Sequence, residues 1–322
     1  MNVLVTGGAG YIGSVLTALL LEAGHDVTVV DDLSTGHADA VPDGARFIKA
    51  DLLNRATALQ VIEPGLDGVV HLAAKSLVPE SAREPELYFR HNLGTTLNVL
   101  DAMRAAGVAR IVFSSTAAVY GEPDATPITE DAPTRPTNAY GASKLAIDQL
   151  LTFAARSHGI AAVSFRYFNV GGAHGRYGER HAMESHLIPR ILDVAAGHGT
   201  AIEIYGTDYP TPDGTAIRDY FHVEDLSRAH VIALQAARPG QHAIYNLGNG
   251  EGFSVRQVIE VARAVTGREL PTVEMPRREG DPARLVASSA LARQELGWEP
   301  RKPQLETIVE DTWRRMRERA AG

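Results

Sequence analysis

Val3-Leu4-Val5-Thr6-Gly7-Gly8-Ala9-Gly10-Tyr11-Ile12-Gly13 is the stretch on which the reading of this chain turns. A short apolar run passes at once into three glycines spaced G-x-x-G-x-x-G, and helical spacing then follows from Ile12 to Ala23, closed by Gly24. A strand that turns through glycines into a helix is a cradle for a pyrophosphate. The missing side chains let phosphate approach the backbone, and the helix start offers unpaired N–H groups and a partial positive charge. Gly7, Gly10, Tyr11, Ile12 and Gly13 are therefore the first candidate cofactor residues. About 20 residues on, the second apolar run ends at Asp31-Asp32-Leu33-Ser34, where a carboxylate suits ribose hydroxyls. That carboxylate would repel the extra phosphate of NADP, and no arginine lies between Asp31 and Val41 to attract it, so the spacing favours NAD.

Working outward, Val27 to Val30, Phe47-Ile48, Val69 to Leu72 and Ile111 to Phe113 are further short runs, apolar on both faces and separated by helical segments. That is the pattern of a buried parallel sheet, and it predicts an α/β, Rossmann-like doubly wound domain. From about Asn169 the rhythm changes. Gly171-Gly172, Gly197, Gly199, Pro210, Pro212 and Gly214 punctuate it, with helical stretches over 184–196 and 223–237. We expect residues 1–168 to be mainly the nucleotide-binding part. Residues 169–322 are expected to be mainly a smaller α/β substrate-binding region, with the chain crossing back to the first.

Composition is that of an ordinary globular protein: 322 residues, 44% hydrophobic and 22% charged, with a net charge of −8. The acidic balance and the lack of basic runs argue against nucleic-acid binding. The absence of cysteine excludes disulfides and thiolate chemistry, and scattered histidines without a repeated ligand spacing give no expectation of a catalytic metal. With no apolar run near the roughly 20 residues of a membrane helix and a first strand at the very start, a cytoplasmic protein is expected.

The chemistry is read from Tyr140-Gly141-Ala142-Ser143-Lys144, at the head of an apolar-periodic helix through Leu145, Ile147, Leu150 and Leu151. A spacing of four puts tyrosine and lysine on one helix face. A lysine ammonium and a nicotinamide ring would both lower the phenol's pKa, making Tyr140 a base near neutrality. Phe113-Ser114-Ser115-Thr116 ends the strand begun at Ile111, where open α/β sheets present ligands, and the Thr116 hydroxyl is placed to bond a reacting sugar oxygen. The alternative is a tyrosine and lysine on an ordinary amphipathic helix surface. Asp51-Leu52 follows another strand and reads either as an adenine contact or as a helix N-cap by Asp51. Leu72-Ala73-Ala74-Lys75 reads as a cofactor wall or as close packing. The apolar faces Leu93-Leu97-Leu100-Met103 and Leu145-Ile147-Leu150-Leu151 read as internal core or as the seam of a homodimer.

Taken with Tyr167-Phe168-Asn169, Tyr209-Pro210-Thr211, Arg218-Asp219-Tyr220-Phe221-His222-Val223 and Arg277-Arg278-Glu279-Gly280-Asp281, these motifs resemble the extended short-chain dehydrogenase/reductase family, and within it the nucleotide-sugar 4-epimerases, over nearly the whole chain. The resemblance implies that Tyr140 takes the proton of the sugar 4-hydroxyl while C4 gives its hydride to retained NAD. The 4-keto sugar then turns over and is reduced on its other face, with UDP-glucose and UDP-galactose as the implied substrates. It places Ser114, Tyr167 and Phe168 beside the cofactor. Asn169, His186, Leu187, Tyr205, Arg218 and Arg278 would line the sugar-nucleotide site beside Thr116 and Tyr140, with the arginines at the diphosphate. It further implies a homodimer and makes Arg284 a position bearing on N-acetylated sugars. Relatives that dehydrate or decarboxylate carry an acid after the catalytic hydroxyl, where this chain has Ala117-Ala118. A net nucleotide-sugar dehydrogenase or reductase, and a dinucleotide sensor without chemistry, are the competing readings.

Overall fold

The computed structural model of the chain describes residues 1–181, 186–278 and 281–321. Its centre is a seven-stranded sheet in which every neighbouring pair runs parallel. Six strands come in chain order: β1 (Asn2–Thr6), β2 (Asp26–Asp31), β3 (Arg46–Lys49), β4 (Gly68–His71), β5 (Arg110–Ser114) and β6 (Ala161–Tyr167). The seventh, His242–Leu247, joins after a long excursion and pairs with β6. In space the order is β3-β2-β1-β4-β5-β6 followed by His242–Leu247, so the winding reverses between β1 and β4. A doubly wound sheet opens its ligand crevice at that switch, beyond the carboxyl ends of the strands.

The five apolar runs all form strands. The reason is visible along β1, where Val3 and Val5 pack into one core while Leu4 packs into the other. One face is covered by α1 (Tyr11–Glu22) and the Val223–Ala236 helix, through Leu16, Leu20, Leu226, Ala229 and Ala233. The other face is covered by the Arg55–Val61, Gly94–Ala106 and Ala139–His158 helices, through Ala58, Val99, Met103, Ile147 and Leu151. Helix α1 stops where expected, with Gly24 in the left-handed conformation at φ +77°.

β6 and the His242–Leu247 strand carry no continuous apolar signal, and the sequence reading passes over both. β6 reads Ala-Ala-Val-Ser-Phe-Arg-Tyr, yet its Ser164 and Arg166 are buried. Arg166 pairs with Asp148 at 3.1 Å, and Ser164 bonds His242 at 2.8 Å, so partners replace apolarity here. The helix expected over 184–196 runs Leu187–Ala195 in the described part; residues 182–185 lie outside the described residues, as do Glu279 and Gly280 of the arginine-rich motif.

A third core joins the Leu187–Ala195, Val255–Thr266 and Leu305–Ala321 helices to the short parallel pair Ile202–Tyr205 and Thr272–Met275. A buried polar strut ties this region to the sheet. His222 Nε2 lies 3.0 Å from Asp311, His174 lies 3.1 Å from Glu224, and the Lys302 ammonium reaches Glu224 at 2.8 Å and Asp311 at 2.9 Å. Lys302 thus supplies the cation that two adjacent carboxylates need. No helix among the described residues is long and apolar enough to cross a membrane.

Candidate active site

At the winding reversal the turn after β1 meets the end of β4. Gly7 has φ +72°, and a Cβ built on it would lie 2.7 Å from the Ala73 nitrogen. One on Gly13 would lie 2.2 Å from the Gly7 carbonyl. These two glycines serve close backbone packing. Gly10 differs: its φ of −83° suits any residue, and the nearest atom to a Cβ there is 3.4 Å away. Its bareness leaves a cradle that a side chain would begin to fill. α1 starts at that point with no side-chain cap and no acid in its first turn, so the positive end of its dipole is not neutralised by the chain. These features fit a dinucleotide pyrophosphate.

Asp31 is buried and braces the turn, accepting from Ala9 N at 3.0 Å and Leu33 N at 2.8 Å. Burial pushes its carboxyl above the usual range, while these two N–H groups oppose the shift. Asp32 is exposed and accepts from Ser34 N at 2.8 Å. Leu33, between them, holds φ +62°. The β4 side comes next: Leu72, Ala73, Ala74 and Lys75 are half-buried, and Ala73 N donates to the Thr6 hydroxyl. Asn92 locks this segment, bonding Lys75 N (2.8 Å), Lys75 O (3.1 Å) and the Ser143 hydroxyl (3.0 Å). Its full burial and triple duty were not foreseen; in Phe89-Arg90-His91-Asn92-Leu93 the charged and polar neighbours hide it. Asp51 accepts from Leu53 N at 2.8 Å, closing a local turn before the half-buried Leu53. The N-cap considered for it belongs to Asn54, which accepts from Ala56 N and Thr57 N.

The Ala139–His158 helix is capped by Asn138, whose side chain accepts from Gly141 N, and its first turns carry Tyr140 and Lys144 against the end of β5. Lys144 is 2% exposed; its Nζ donates to the Ser114 carbonyl at 2.8 Å and sits 6.0 Å from the centre of the Tyr140 ring. Thr116 accepts from Ala118 N at 3.2 Å, which leaves its proton available to the Tyr140 phenol, whose ionised form it favours. The Ser114 hydroxyl bonds the Tyr167 hydroxyl, and Tyr88 stands edge-on to Tyr140 at 6.5 Å. The amphipathic-surface alternative therefore fails: both side chains face the strand ends.

The chain by itself acts against both charged forms. Burial pushes the Tyr140 phenol up, with the Thr116 hydroxyl opposing it. Burial likewise lowers Lys144 to about 7, opposed by the charge of Asp148. The nicotinamide cation in the lowering expected for Tyr140 is a contribution of the cofactor, not of the chain.

On the other side, Phe168 and Asn169 follow β6, and Asn169 N bonds the Asp219 carbonyl at 3.0 Å. His186 precedes the Leu187–Ala195 helix, its Nδ1 2.7 Å from Glu179. The Tyr205 hydroxyl donates to Glu203 at 2.8 Å, and the Arg278 guanidinium lies 3.9 Å from the centre of the Tyr205 ring. Arg218 is ion-paired with Asp281, whose N bonds the Arg278 carbonyl, so Arg218 and Arg278 are brought to one place. Asp219 of the same motif is architectural, being fully buried and accepting from Asn249, Gly250 and Ala287 N–H groups. Arg284 is exposed on the short strand Arg284–Leu285.

Of the apolar residues considered for a dimer seam, Leu100, Met103, Ile147 and Leu151 are core. Leu97 is the one of them that is exposed; Phe89 and Phe153, which were not considered, are also exposed on the same two helical segments.

Comparison with known proteins agrees with this geometry. The chain is 57% identical over 313 residues to the UDP-glucose 4-epimerase of Corynebacterium glutamicum, covering 97% of this chain and 95% of that one. It superposes with a TM-score of 0.95 on the UDP-glucose-4-epimerase of Stenotrophomonas maltophila with bound NAD and formylated UDP-arabinopyranose, at 40% identity, covering 100% and 99% of the two chains. For the enzyme of Bifidobacterium longum in complex with NAD+ and UDP the TM-score is 0.93 at 35% identity, with both chains covered in full. A family model matches residues 3–248, and the chain belongs to the NAD dependent epimerase/dehydratase family.

Proposed function

We propose that this chain interconverts UDP-glucose and UDP-galactose by inverting C4, with NAD held at the glycine-rich turn and Tyr140, Lys144 and Thr116 carrying the proton transfer. The single observation behind the assignment of roles is that Ser114 and Thr116, at the end of β5, engage Lys144 and Tyr140. That end lies one strand beyond the winding reversal. When bound, NAD accepts the C4 hydrogen with its electron pair and returns it. Tyr140 removes the 4-hydroxyl proton and later restores it, Thr116 orients the sugar oxygen and the phenol, and Lys144 supplies positive charge beneath both. Leu72, Ala73, Ala74, Lys75 and Ser114 flank the cofactor, and Asp31 and Asp32 its adenosine ribose. Residues 1–168 mainly hold the nucleotide cofactor. From 169 onward Asn169, His186, Leu187, Tyr205, Arg218 and Arg278 mainly hold the UDP-sugar, the arginines at the diphosphate. The decisive experiment incubates purified protein with UDP-glucose without added NAD and separates the products. Formation of UDP-galactose with no net redox supports the reading; no conversion until NAD is added, followed by one NADH formed for each sugar consumed, overturns it in favour of a dehydrogenase.

The enzyme works in the cytoplasm as a homodimer, its seam formed around Phe89, Leu97 and Phe153. Replacing Phe153 with Glu yields a monomer in sedimentation, whereas an unchanged sedimentation coefficient rejects this face.

A further inference from the structure

Three consecutive residues at the end of β5 grip three residues spaced by four on the Ala139–His158 helix. The Ser114 carbonyl takes Lys144, the Thr116 hydroxyl acts on the Tyr140 phenol, and between them the Ser115 hydroxyl donates to Asp148 Oδ2 at 3.1 Å. Asp148 lies one turn beyond Lys144 on the same helix face, is 2% exposed, and is pinned by Arg166 Nε at 3.1 Å. Arg166 is fixed in turn by the Tyr120 hydroxyl at 3.1 Å, which donates to Asn246 at 2.7 Å. Despite this, Asp148 Oδ1 is buried with no hydrogen-bond partner. A carboxylate that keeps an unused buried oxygen beside a buried lysine is costly unless its charge is used.

We propose that Asp148, oriented by Ser115 and Arg166, is a positioning residue whose negative charge holds Lys144 as an ammonium beneath Tyr140. This rests on the assignment of Tyr140 and Lys144 above. Among the described residues the titratable and charged groups around Lys144 are Tyr140 and Asp148 on its own helix, Arg166 on β6, whose cation is paired with Asp148, and on β4 His71, which burial and Lys144 drive to about 3 and hence to the neutral form. Asp148 is the one anion among them, and its charge acts on Lys144 against burial. A buried lysine without a counter-charge titrates at about 5–6, too low to remain cationic at neutral pH.

The test is the pH profile of epimerisation by the holoenzyme. Loss of the Lys144 proton gives the falling limb at high pH, and Asp148→Asn moves that limb down by about one unit, while Asp148→Glu leaves it near the wild-type position. Since a lone Arg166 is a poor core residue, the double variant Asp148→Asn/Arg166→Met removes both charges and keeps a foldable interior. It shows a smaller displacement in the same direction, because the Arg166 cation leaves together with the anion. A limb that stays in place in either folded variant, whatever happens to Tm, overturns the proposal. So does a wild-type Lys144 ¹⁵N titration with a midpoint below about 6. Failure of the underlying assignment looks different: Tyr140→Phe would then epimerise normally.

Discussion

On the side proposed for the nucleotide the walls are backbone, set by Gly7, Gly13 and an uncapped helix start; on the side proposed for the sugar they are paired side chains drawn from distant segments. Gly7 and Gly13 lie six residues apart and pack within one turn. Arg218 meets Asp281 across 63 residues, and Arg278 stacks on the Tyr205 ring. The first kind of wall tolerates no added atom, because backbone cannot give way. The second is graded, because long side chains can be exchanged or re-aimed. One side is therefore suited to an invariant ligand, and the other to ligands that vary in the sugar.

The largest effect lies where the two sides meet. Tyr140→Phe lowers the rate of epimerisation by about 10²–10⁴-fold, the usual worth of a general acid–base group, while the purified protein keeps its NAD absorbance. An unaltered rate removes the meeting point from the chemistry. Next come the glycines, which sharpen the claim about backbone walls. Gly13→Ala costs about 3 kcal/mol or more in urea unfolding and yields protein without NAD, since its Cβ would sit 2.2 Å from the Gly7 carbonyl. Gly10→Ala unfolds like the wild type and loses only affinity for NAD. Equal destabilisation by the two breaks the distinction between packing glycine and ligand-facing glycine.

The strut beneath the sugar side gives a pH prediction. Burial acts to raise the Glu224 carboxyl, but hydrogen bonds from His174 and Lys302 prevail and hold it at about 2, against 4.5 for a free glutamate. Because the folded value lies below the unfolded one, its stabilisation is complete above about pH 4.5 and disappears as the pH falls towards about 2. Glu224→Gln is thus less stable than wild type by about 2–3 kcal/mol at pH 7, and the gap closes on acidification. A gap independent of pH removes the charge from the account. The smallest effect belongs to Arg278→Ala, which raises KM for the UDP-sugar about tenfold with kcat unchanged, as expected for loss of a phosphate-binding guanidinium on a graded wall.

The same contrast decides what was legible beforehand. Gly7 to Gly13, Asp31, and Tyr140 with Lys144 are short-range patterns, and each fixes its geometry by spacing alone. The strand β6 was not legible, because Ser164 and Arg166 declare themselves buried only once His242 and Asp148 stand opposite. The burial that opposes a phenolate at Tyr140 and an ammonium at Lys144 was hidden for a related reason. It follows from how completely the Ala139–His158 helix is packed against β5, and that is a property of the assembled interior. Asn92 and Asp148 likewise gain their meaning from partners 51 and 33 residues away. One local signal went unused: Ser254 and Gln257 form a reciprocal capping box that marks the start of the Val255–Thr266 helix.

The strand His242–Leu247 completes the sheet only after the polypeptide has made its tour through Asn169, Leu187, Tyr205 and Arg218. Much of the stretch proposed to hold the UDP-sugar is consequently an internal cassette, with both of its ends anchored in the same parallel layer. Grafting a relative's preference onto this scaffold calls for exchanging a middle segment at two junctions, because cutting once after Tyr167 strands β6 without its outer neighbour.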